Sequence, residues 1–412
     1  MKKNNNGEEK YNINVYYTQS DMNKKNNIKI GVVNCFQIKN YGSVLQSYAT
    51  QKIVQDLGYE VESIYYNKDK SFKQIMNYLP QLMLPSVIKM KYKNIKKSRY
   101  IRSKGKDFRK NFEIRNDKFN EFVDKNFIKS PHFIGYNSLK NNYKRYDIIL
   151  LGSDQVWHPI NLGSHYYTLE WVGKETKKVT YSASFGVSQV PSIQKNSTRN
   201  YLSKIDSISV RETAGQKIVN DMIGKSVPVV VDPTMLFSAN EWDKVCLEKK
   251  FINEDYIFCY YLGENEQHRK AAEKLSEKTG YKIVTLPFMD EIVEGDFKFG
   301  DIVRYDVGPA EFLNLIKNAK YVCTDSFHGT VYSAIYQKKF IIFNRYSETA
   351  KGSTNSRIHT LLNSLNLSSR KYDQKVDILT QMEEEINYDS VNKRIDDLRN
   401  NSINYLVEAL KN

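Results

Sequence analysis

Short apolar segments alternate with stretches of helical periodicity along most of the chain, and this alternation is the feature that most restricts the fold. Residues 28–33 are apolar, apolar positions in 43–57 repeat at helical spacing, and 61–66 is apolar again. This order of strand, helix and strand is typical of a βαβ unit, in which the two strands pair in parallel through a right-handed crossover. The sequence therefore predicts an α/β protein with parallel sheets.

The alternation extends over two regions, and 412 residues exceed what one hydrophobic core usually serves. Asp232-Pro233 ends an apolar run and favours a boundary nearby. We predict two Rossmann-like, doubly wound domains at 28–230 and 231–375, a disordered tail at 1–27, and a helical segment at 376–412 that packs back. The predicted strands are 28–33, 61–66, 146–151, 178–185, 207–210, 227–231, 256–262, 281–286, 321–324 and 340–343, with helices at 43–57, 211–222, 267–279, 309–318 and from Gly329.

Composition narrows the class of protein further. The four cysteines show no C-x-x-C spacing and the six histidines form no ligand pair at helical spacing, so neither a metal site nor a cofactor is expected. No run approaches the 18 or more apolar residues of a membrane helix. We therefore expect a cytoplasmic protein.

A local excess of positive charge stands out from the formal net charge of +15. Residues 89–110 contain eleven basic residues and one acid, Asp107, directly after the apolar segment 79–88. Such a basic insertion at 79–110 either lies on an anionic membrane surface, which would make the protein peripheral on the inner face, or is a solvated helix face. Nucleic acid is not an expected partner, because no recognition motif accompanies the charge.

Polar residues follow several predicted strands. Ligands of open α/β sheets bind at the carboxyl ends of the strands, where helix N-termini present free N–H groups. The candidate positions are Asn40, Tyr41, Gly42 and Ser43, then Gly152, Ser153, Asp154 and Gln155, then 182–184, Arg211 with Glu212, Asp232 with Pro233, and 325–330.

The segment 325–330 is the most informative of these. It lies between a predicted strand and a predicted helix, so an anion would fit near His328, with Asp325 able to support the histidine. The alternative is that Asp325 and Thr330 only cap the helix and that His328 is a hydrogen-bonded loop residue.

Further candidates each have a structural alternative. Arg211 at a strand end suits a carboxylate or phosphate, or else pairs with Glu212. Asp154 is either a general base or a helix cap, and Gly42 admits either a ligand or a tight turn. The Gly/Ser loop at 351–357 either closes over a substrate or is a flexible connection.

Taken together and in order, seven blocks resemble the polysaccharide pyruvyl transferase family. The blocks are 40–46, 152–157, 181–186, 209–212, 231–234, 324–330 and 355–358. The resemblance implies a fold like that of GT-B glycosyltransferases, an active site in the interdomain cleft, and transfer of pyruvate from phosphoenolpyruvate to a sugar. It also implies that Arg211 and His328 contact phosphoenolpyruvate. Some members place an arginine two residues before the histidine, where this chain has Ser326, so that Arg357 or Lys351 would substitute.

The resemblance leads to the following assignment of roles. Phosphoenolpyruvate is the co-substrate, and the acceptor is a sugar or a lipid-linked oligosaccharide of a cell-surface polysaccharide. The expected catalytic residues are His328 as acid, with Asp154 or Asp325 as base. Donor-binding residues are expected to be Arg211, Ser326, Gly329, Thr330, Lys351, Asn355 and Arg357, and acceptor-binding residues Asn40, Tyr41, Gly42, Ser153 and Gln155.

Two other functions are compatible with parts of the sequence. A glycosyltransferase that uses a nucleotide sugar can share the same architecture, since fold does not fix function. A non-catalytic scaffold would instead act through the basic residues at 89–110.

Overall fold

The computed structural model describes residues 27–69, 85–289, 293–345 and 355–411. The predicted tail therefore lies outside the described residues except for Asn27. Residues 79–84 of the basic insertion and Lys351 of the Gly/Ser loop also lie outside them.

A four-stranded parallel sheet organises the first half of the chain, with the spatial order β2-β1-β5-β6. A separate parallel pair joins β3 to β4. The strands are β1 (Lys29–Val33), β2 (Glu60–Ser63), β3 (Tyr66–Asn67), β4 (Phe133–Ile134), β5 (Ile148–Leu151) and β6 (Lys177–Thr180). The helices of this half are α1 (Tyr41–Asp56), α2 (Pro85–Ser103), α3 (Lys106–Asn126), α4 (Tyr136–Asn142), α5 (Lys195–Leu202) and α6 (Thr213–Ile223).

A five-stranded parallel sheet organises the second half, with the order β11-β10-β7-β8-β9. Its strands are β7 (Tyr256–Tyr260), β8 (Lys282–Thr285), β9 (Ile302–Val303), β10 (Tyr321–Thr324) and β11 (Lys339–Ile342). The helices are α7 (Ala239–Asp243), α8 (Glu266–Thr279), α9 (Pro309–Asn318), α10 (Phe327–Ile335), α11 (Asn355–Leu365), α12 (Ile378–Glu383) and α13 (Tyr388–Leu410). Short 3-10 helices lie at Tyr143–Arg145, Pro159–Ser164, Ser192–Gln194, Pro233–Leu236, Glu294–Lys298 and Ser368–Arg370.

The central strands are apolar because helices cover both faces of each sheet. All residues of β5 and β10 are buried, and a parallel strand covered on both faces is a continuous apolar run rather than an alternating one. The predicted α/β class with two Rossmann-like parallel sheets is confirmed.

Two predicted strands are not regular strands in the structure. Residues 207–210 and 227–231 contribute only single parallel bridges, in which Ser207 pairs with Val179, and Val210 pairs with Ala183 and with Val229. Pro228 has no N–H to donate, which limits a continuous ladder there. The bridges nevertheless extend the first sheet beyond β6 and bring the chain to Asp232.

The C-terminal helix α13 contacts both halves of the chain. Arg399 donates from Nε to the carbonyl of Met235 (3.0 Å), and the hydroxyl of Tyr405 donates to the carbonyl of Thr180 (2.9 Å). The hydroxyl of Ser402 accepts from the N–H of Val231 (3.0 Å). Within the described ranges, none of the helices combines the length and hydrophobicity that a membrane crossing requires.

Candidate active site

The loops after β1 and β5 meet through Ser43 and Asp154. Asn40 caps α1 by accepting from the N–H of Ser43, which fixes the start of the helix. The hydroxyl of Ser43 donates to Oδ2 of Asp154 at 2.6 Å. Asp154 has a φ of 71°, a left-handed conformation that Asp tolerates better than most residues. The cap expected as the alternative for Asp154 is not made to the next helix, because the 3-10 helix Pro159–Ser164 is capped by His158.

Arg211 lies between two carboxylates at the edge of the first sheet. Its Nη1 donates to Oδ2 of Asp232 at 2.6 Å, and its Nη2 lies 3.5 Å from Oδ1 of Asp154. The other oxygen of Asp232 accepts from the N–H and the hydroxyl of Thr234. Glu212, the partner expected as the alternative for Arg211, is farther away at 4.0 Å. The guanidinium is thus held in a fixed orientation by buried charge pairs.

His328 reaches this cluster from the second half of the chain. It lies in the first turn of α10, and its Nε2 is 3.6 Å from Oδ2 of Asp232. The imidazole ring lies directly against Gly42, where an added Cβ would be 1.9 Å from Nδ1. Gly42 is therefore required for the close approach of the two halves. The structure brings together His328, Asp154, Arg211 and Gly42, which the sequence had suggested separately.

The electrostatics of the cluster keep its carboxylates ionised. Burial opposes ionisation of Asp232, but His328 and then Arg211 outweigh it and hold the pKa of this carboxyl below its usual value. Burial also opposes ionisation of Asp154, and Arg211, followed by His328, again lowers its pKa. Both groups are suited to accept hydrogen bonds or protons rather than to serve as acids.

Arg357 is a second buried guanidinium beside Arg211. Its Nη2 and Nη1 lie 2.9 and 3.3 Å from the side-chain oxygen of Gln155, with the amide oriented so that its oxygen faces the arginine. The guanidinium carbons of Arg211 and Arg357 lie 4.7 and 5.8 Å from the centre of the Phe327 ring. Burial, with Arg211 contributing next, lowers the pKa of Arg357 to about 9. The site therefore holds this cation at an energetic cost that a bound anion would offset.

Arg357 forms no ion pair within 4.0 Å in the part of the chain that the structure describes, and its Nε has no hydrogen-bond partner there. Glu212 and Asp154 favour its charge only at longer range, and burial outweighs them. A cavity of about 200 Å³ adjoins Arg357, and its lining includes Arg211, Asp232, Phe327, Val229, Leu361 and Leu398.

Asp325 does not fill the role expected from its position near His328. Its Oδ1 accepts from the N–H of Leu262 (2.7 Å) and its Oδ2 from that of Gly263 (2.8 Å). These bonds join the end of β10 to the loop after β7. The carboxylate that contacts His328 is instead that of Asp232, so the geometry favours a structural role for Asp325.

Three of the remaining candidates in the second half shape the first turn of α10, and the fourth lies in α11. The hydroxyl of Ser326 caps the helix by accepting from the N–H of Gly329, and that of Thr330 donates to the carbonyl of Ser326. A Cβ on Gly329 would lie 2.6 Å from Oγ1 of Thr324. Asn355 is the first residue of α11, two positions before Arg357.

Two expected acceptor residues are buried rather than open to a ligand. The ring of Tyr41 stacks on Phe312, and its hydroxyl donates to the carbonyl of Val307 at 3.0 Å. Ser153 is fully buried and donates to the carbonyl of Ser182 at 2.7 Å. These contacts correct the expectation that Tyr41 and Ser153 contact the acceptor directly.

Sequence reasoning gave no role to Asp232 or to Phe327. Asp232 was noted only as a polar residue at a strand end, and two of its partners, Arg211 and His328, are distant from it in sequence. The Asp-Pro pair after an apolar run was the available signal for Asp232. Phe327 carried no signal, because an aromatic residue in a helix start is more often part of the core.

The fold is α/β, with two parallel β-sheets that meet at a buried cluster of carboxylates, arginines and a histidine. Such a cluster is suited to bind an anion, as the active site of an enzyme would. A model of the family described as polysaccharide pyruvyl transferase matches residues 40–347. The chain belongs to this family. The matched range includes Gly42, Asp232 and His328 and ends before Arg357.

The chain also has distant similarity to solved structures. UDP-GlcNAc 2-epimerase from Neisseria meningitidis, bound to UDP-GlcNAc, is 8% identical with a TM-score of 0.46, over 92% of this chain and 99% of that one. UDP-N-acetylglucosamine 2-epimerase from Rickettsia bellii is 10% identical with a TM-score of 0.47, over 92% and 96%. An alpha-glucosyltransferase in complex with UDP-glucose and DNA is 10% identical with a TM-score of 0.46, over 92% and 94%. No curated protein matches the chain.

Proposed function

We propose that this enzyme transfers the pyruvyl group of phosphoenolpyruvate to two hydroxyls of a sugar in a cell-surface polysaccharide precursor, forming a cyclic ketal and releasing phosphate. The observation that carries the proposal is Arg357, a buried cation without a carboxylate partner among the described residues, which shares one aromatic ring with Arg211. Two planar guanidinium groups side by side suit a ligand that carries both a phosphate and a carboxylate. Phosphoenolpyruvate carries both.

Arg357 is assigned the donor contact that an arginine at the position of Ser326 would make. The hydroxyl of Ser326 caps α10 and carries no charge. Arg357 approaches from α11, with its guanidinium carbon 5.8 Å from the centre of the Phe327 ring. In this assignment Arg211 and Arg357 hold the anionic groups of the donor, and Gln155 orients the guanidinium of Arg357.

His328 is proposed to supply the proton that makes the donor electrophilic. Protonation of the methylene carbon of phosphoenolpyruvate creates a cationic centre at C2, and the first sugar hydroxyl adds there and loses its proton. The second hydroxyl then displaces phosphate from C2 and loses its proton, which completes the ketal. Asp232 is ionised and lies 3.6 Å from His328, so it orients the imidazole and balances its charge when the ring is protonated.

Asp154 is the proposed base for the acceptor hydroxyls. Its pKa is held below the usual value, so it is ionised at neutral pH. Asp154 is less buried than Asp232, with a side-chain exposure of 17% against 0%. The hydroxyl of Ser43 fixes one of its oxygens. The acceptor is therefore expected beside Asn40 and Gln155.

Release of phosphate tests the reaction class directly. The purified protein is incubated with an extract of lipid-linked and nucleotide-linked sugars, either with phosphoenolpyruvate or without it, and inorganic phosphate and free nucleotide are measured separately. The proposal predicts phosphate release that requires phosphoenolpyruvate and is lost in His328→Ala. Release of nucleotide without any use of phosphoenolpyruvate would establish the glycosyltransferase alternative instead.

The product is tested in the cell by mass spectrometry of the surface glycan with and without the gene. The proposal predicts loss of a pyruvyl group from the glycan, and restoration by the wild-type gene but not by His328→Ala. A glycan that keeps its mass in the absence of the gene contradicts the proposed role.

A further inference from the structure

Helix α2 has an apolar face that is exposed to solvent. Ile88, Tyr92 and Ile95 are 58%, 68% and 53% exposed. Their spacing of four and three residues places them on one side of the helix. A row of large exposed apolar side chains on one face is typical of an interaction surface.

This face points away from the side of α2 that packs on the protein. Tyr100 and Ile101 are half-buried, and the ring of Tyr100 contacts that of Phe108 in α3 at 6.0 Å. Since each residue turns the helix by about 100°, Ile101 lies across the helix from the row that begins at Ile88, and Tyr100 lies about 100° to one side of it. The exposed row is therefore separate from the face that holds α2 in the fold.

Basic residues extend and border the exposed row. Arg99 continues it by one helical turn, and Lys91 and Arg102 lie along one edge; all three are exposed. They belong to the stretch 89–110, in which eleven basic residues accompany one acid. We define the amphipathic face of α2 as Ile88, Tyr92 and Ile95 with these three cations.

We propose that the amphipathic face of α2 binds an anionic lipid bilayer, with the three apolar side chains at the level of the headgroups and the cations against lipid phosphates. Helices that lie in the plane of a bilayer combine an apolar face with a basic border in this way. A second copy of the chain is a poorer occupant, because the same positive charge would face itself. Nucleic acid is also poorer, because the aliphatic side chains of Ile88 and Ile95 offer no surface on which bases stack.

Helix α2 is followed in the chain by an element that contacts the start of α1. Helix α3, which follows α2, donates from Nη2 of Arg115 to the carbonyl of Lys39 at 2.6 Å. Lys39 directly precedes the Asn40 cap, whose helix start places Gly42 against His328. The inference does not depend on the proposed reaction, because lipid binding requires no substrate.

Vesicle binding by the full-length protein tests the inference. Co-sedimentation is measured with vesicles of phosphatidylcholine alone and of phosphatidylcholine mixed with phosphatidylglycerol. We expect binding only to the mixed vesicles, weakened by added salt. The variant Lys91→Gln/Arg99→Gln/Arg102→Gln is expected to bind about 100-fold more weakly, since each cation near the headgroups contributes about fivefold.

A matched variant tests whether vesicle binding depends on this face or on the overall positive charge of the protein. Lys140→Gln/Lys225→Gln/Lys274→Gln removes the same charge from exposed lysines elsewhere and is expected to bind as the wild type does. Equal loss in both variants would overturn the assignment to α2. All the substituted side chains are exposed, so the thermal midpoint should stay unchanged and should exclude misfolding as the cause.

The apolar part of the face is tested by Ile88→Ser/Tyr92→Ser/Ile95→Ser. Loss of the apolar contact is expected to weaken vesicle binding at least tenfold. Wild-type binding by this variant would overturn the proposal, because charge alone would then explain the binding. A wild-type dimer that the variant converts to a monomer in light scattering would identify the face as a contact between copies. Binding of duplex DNA in preference to mixed vesicles would identify a nucleic-acid surface.

Discussion

Arg211 and Arg357 lie over the same ring but have opposite electrostatic surroundings. Arg211 is paired with Asp232, whereas Arg357 is hydrogen-bonded only to the uncharged Gln155 among the described residues. Removing one member of a buried ion pair costs about 3–5 kcal/mol, because the other charge stays buried alone. We therefore expect Arg211→Met to lower the free energy of unfolding by this amount, and Arg357→Met to leave it unchanged or to raise it by about 1 kcal/mol. Urea unfolding measures both values.

The same two variants distinguish stability from donor binding. Each is expected to weaken phosphoenolpyruvate binding about 10- to 100-fold in calorimetry, since a charge-assisted hydrogen bond is worth about 1.5–3 kcal/mol. Arg357→Met would then be a protein that is no less stable but binds the donor poorly, which is typical of a binding residue. Equal destabilisation by the two substitutions would mean that Arg357 serves the fold instead.

Asp232 makes the stability of the protein depend on pH in a defined direction. Its folded-state pKa is lowered, so its contribution to stability is fully present above the ordinary Asp pKa of about 3.9 and is lost as the pH falls through the lower folded-state value. We expect Asp232→Asn to be about 3–5 kcal/mol less stable at pH 7, with a gap that narrows below pH ~4. Phosphate release should fall about 10²- to 10⁴-fold at pH 7. A gap that stays constant with pH would show that the carboxylate is not ionised in the folded protein.

The start of α1 packs closely against the imidazole of His328. An added Cβ on Gly42 would lie 1.9 Å from Nδ1, whereas one on Gly105, at the start of α3, would meet nothing within 4 Å. We expect Gly42→Ala to displace the imidazole and to lower phosphate release at least 100-fold, the scale of a misplaced catalytic group. Gly105→Ala is the matched control and should retain full activity. Full activity in Gly42→Ala would show that the position of His328 is not critical.

Element boundaries were predictable where a local signal fixes them. Pro309 begins α9 and the buried run 321–324 forms β10, both at the predicted bounds, because proline suits a first helical turn and a covered strand is uniformly apolar. The start of α10 was placed at Gly329, but the hydroxyl of Ser326 caps the helix and moves its start to Phe327. A serine three residues before a glycine does not by itself distinguish a cap from a loop.

The contacts of the cluster could not be predicted from sequence in the same way. Asp325 is close to His328 in sequence, yet its carboxylate accepts from the backbone of Leu262 and Gly263. Asp232 is distant in sequence and is brought to His328 only by tertiary packing. The residue types at strand ends indicate that a polar site exists, but the choice between two aspartates depends on tertiary structure.

At the scale of the whole molecule, the two halves are joined beside the candidate active site through Tyr41. Its ring stacks on Phe312 with centroids 4.6 Å apart and planes 4° apart, and its hydroxyl donates to the carbonyl of Val307. Tyr41→Phe is expected to cost about 1 kcal/mol by removing that hydrogen bond and the longer one, 3.4 Å, that Nε of Arg115 donates to the hydroxyl. Tyr41→Ala is expected to cost about 3–5 kcal/mol by also leaving a cavity.

A double-mutant cycle of Tyr41→Ala with Phe312→Ala measures the interaction energy between these two side chains, because the cost of each cavity cancels in the cycle. We expect a coupling energy of about 0.5–1.5 kcal/mol from the stacked rings in urea unfolding. Because Gly42 follows Tyr41 and contacts His328, loss of the stacking contact in Tyr41→Ala should also reduce phosphate release. Tyr41→Phe keeps the ring and should retain most of the activity. A coupling energy near zero, with activity intact in Tyr41→Ala, would mean that other contacts between the halves, such as those of α13 and of the buried cluster, align them. The position of His328 would then not depend on the stacked pair of Tyr41 and Phe312.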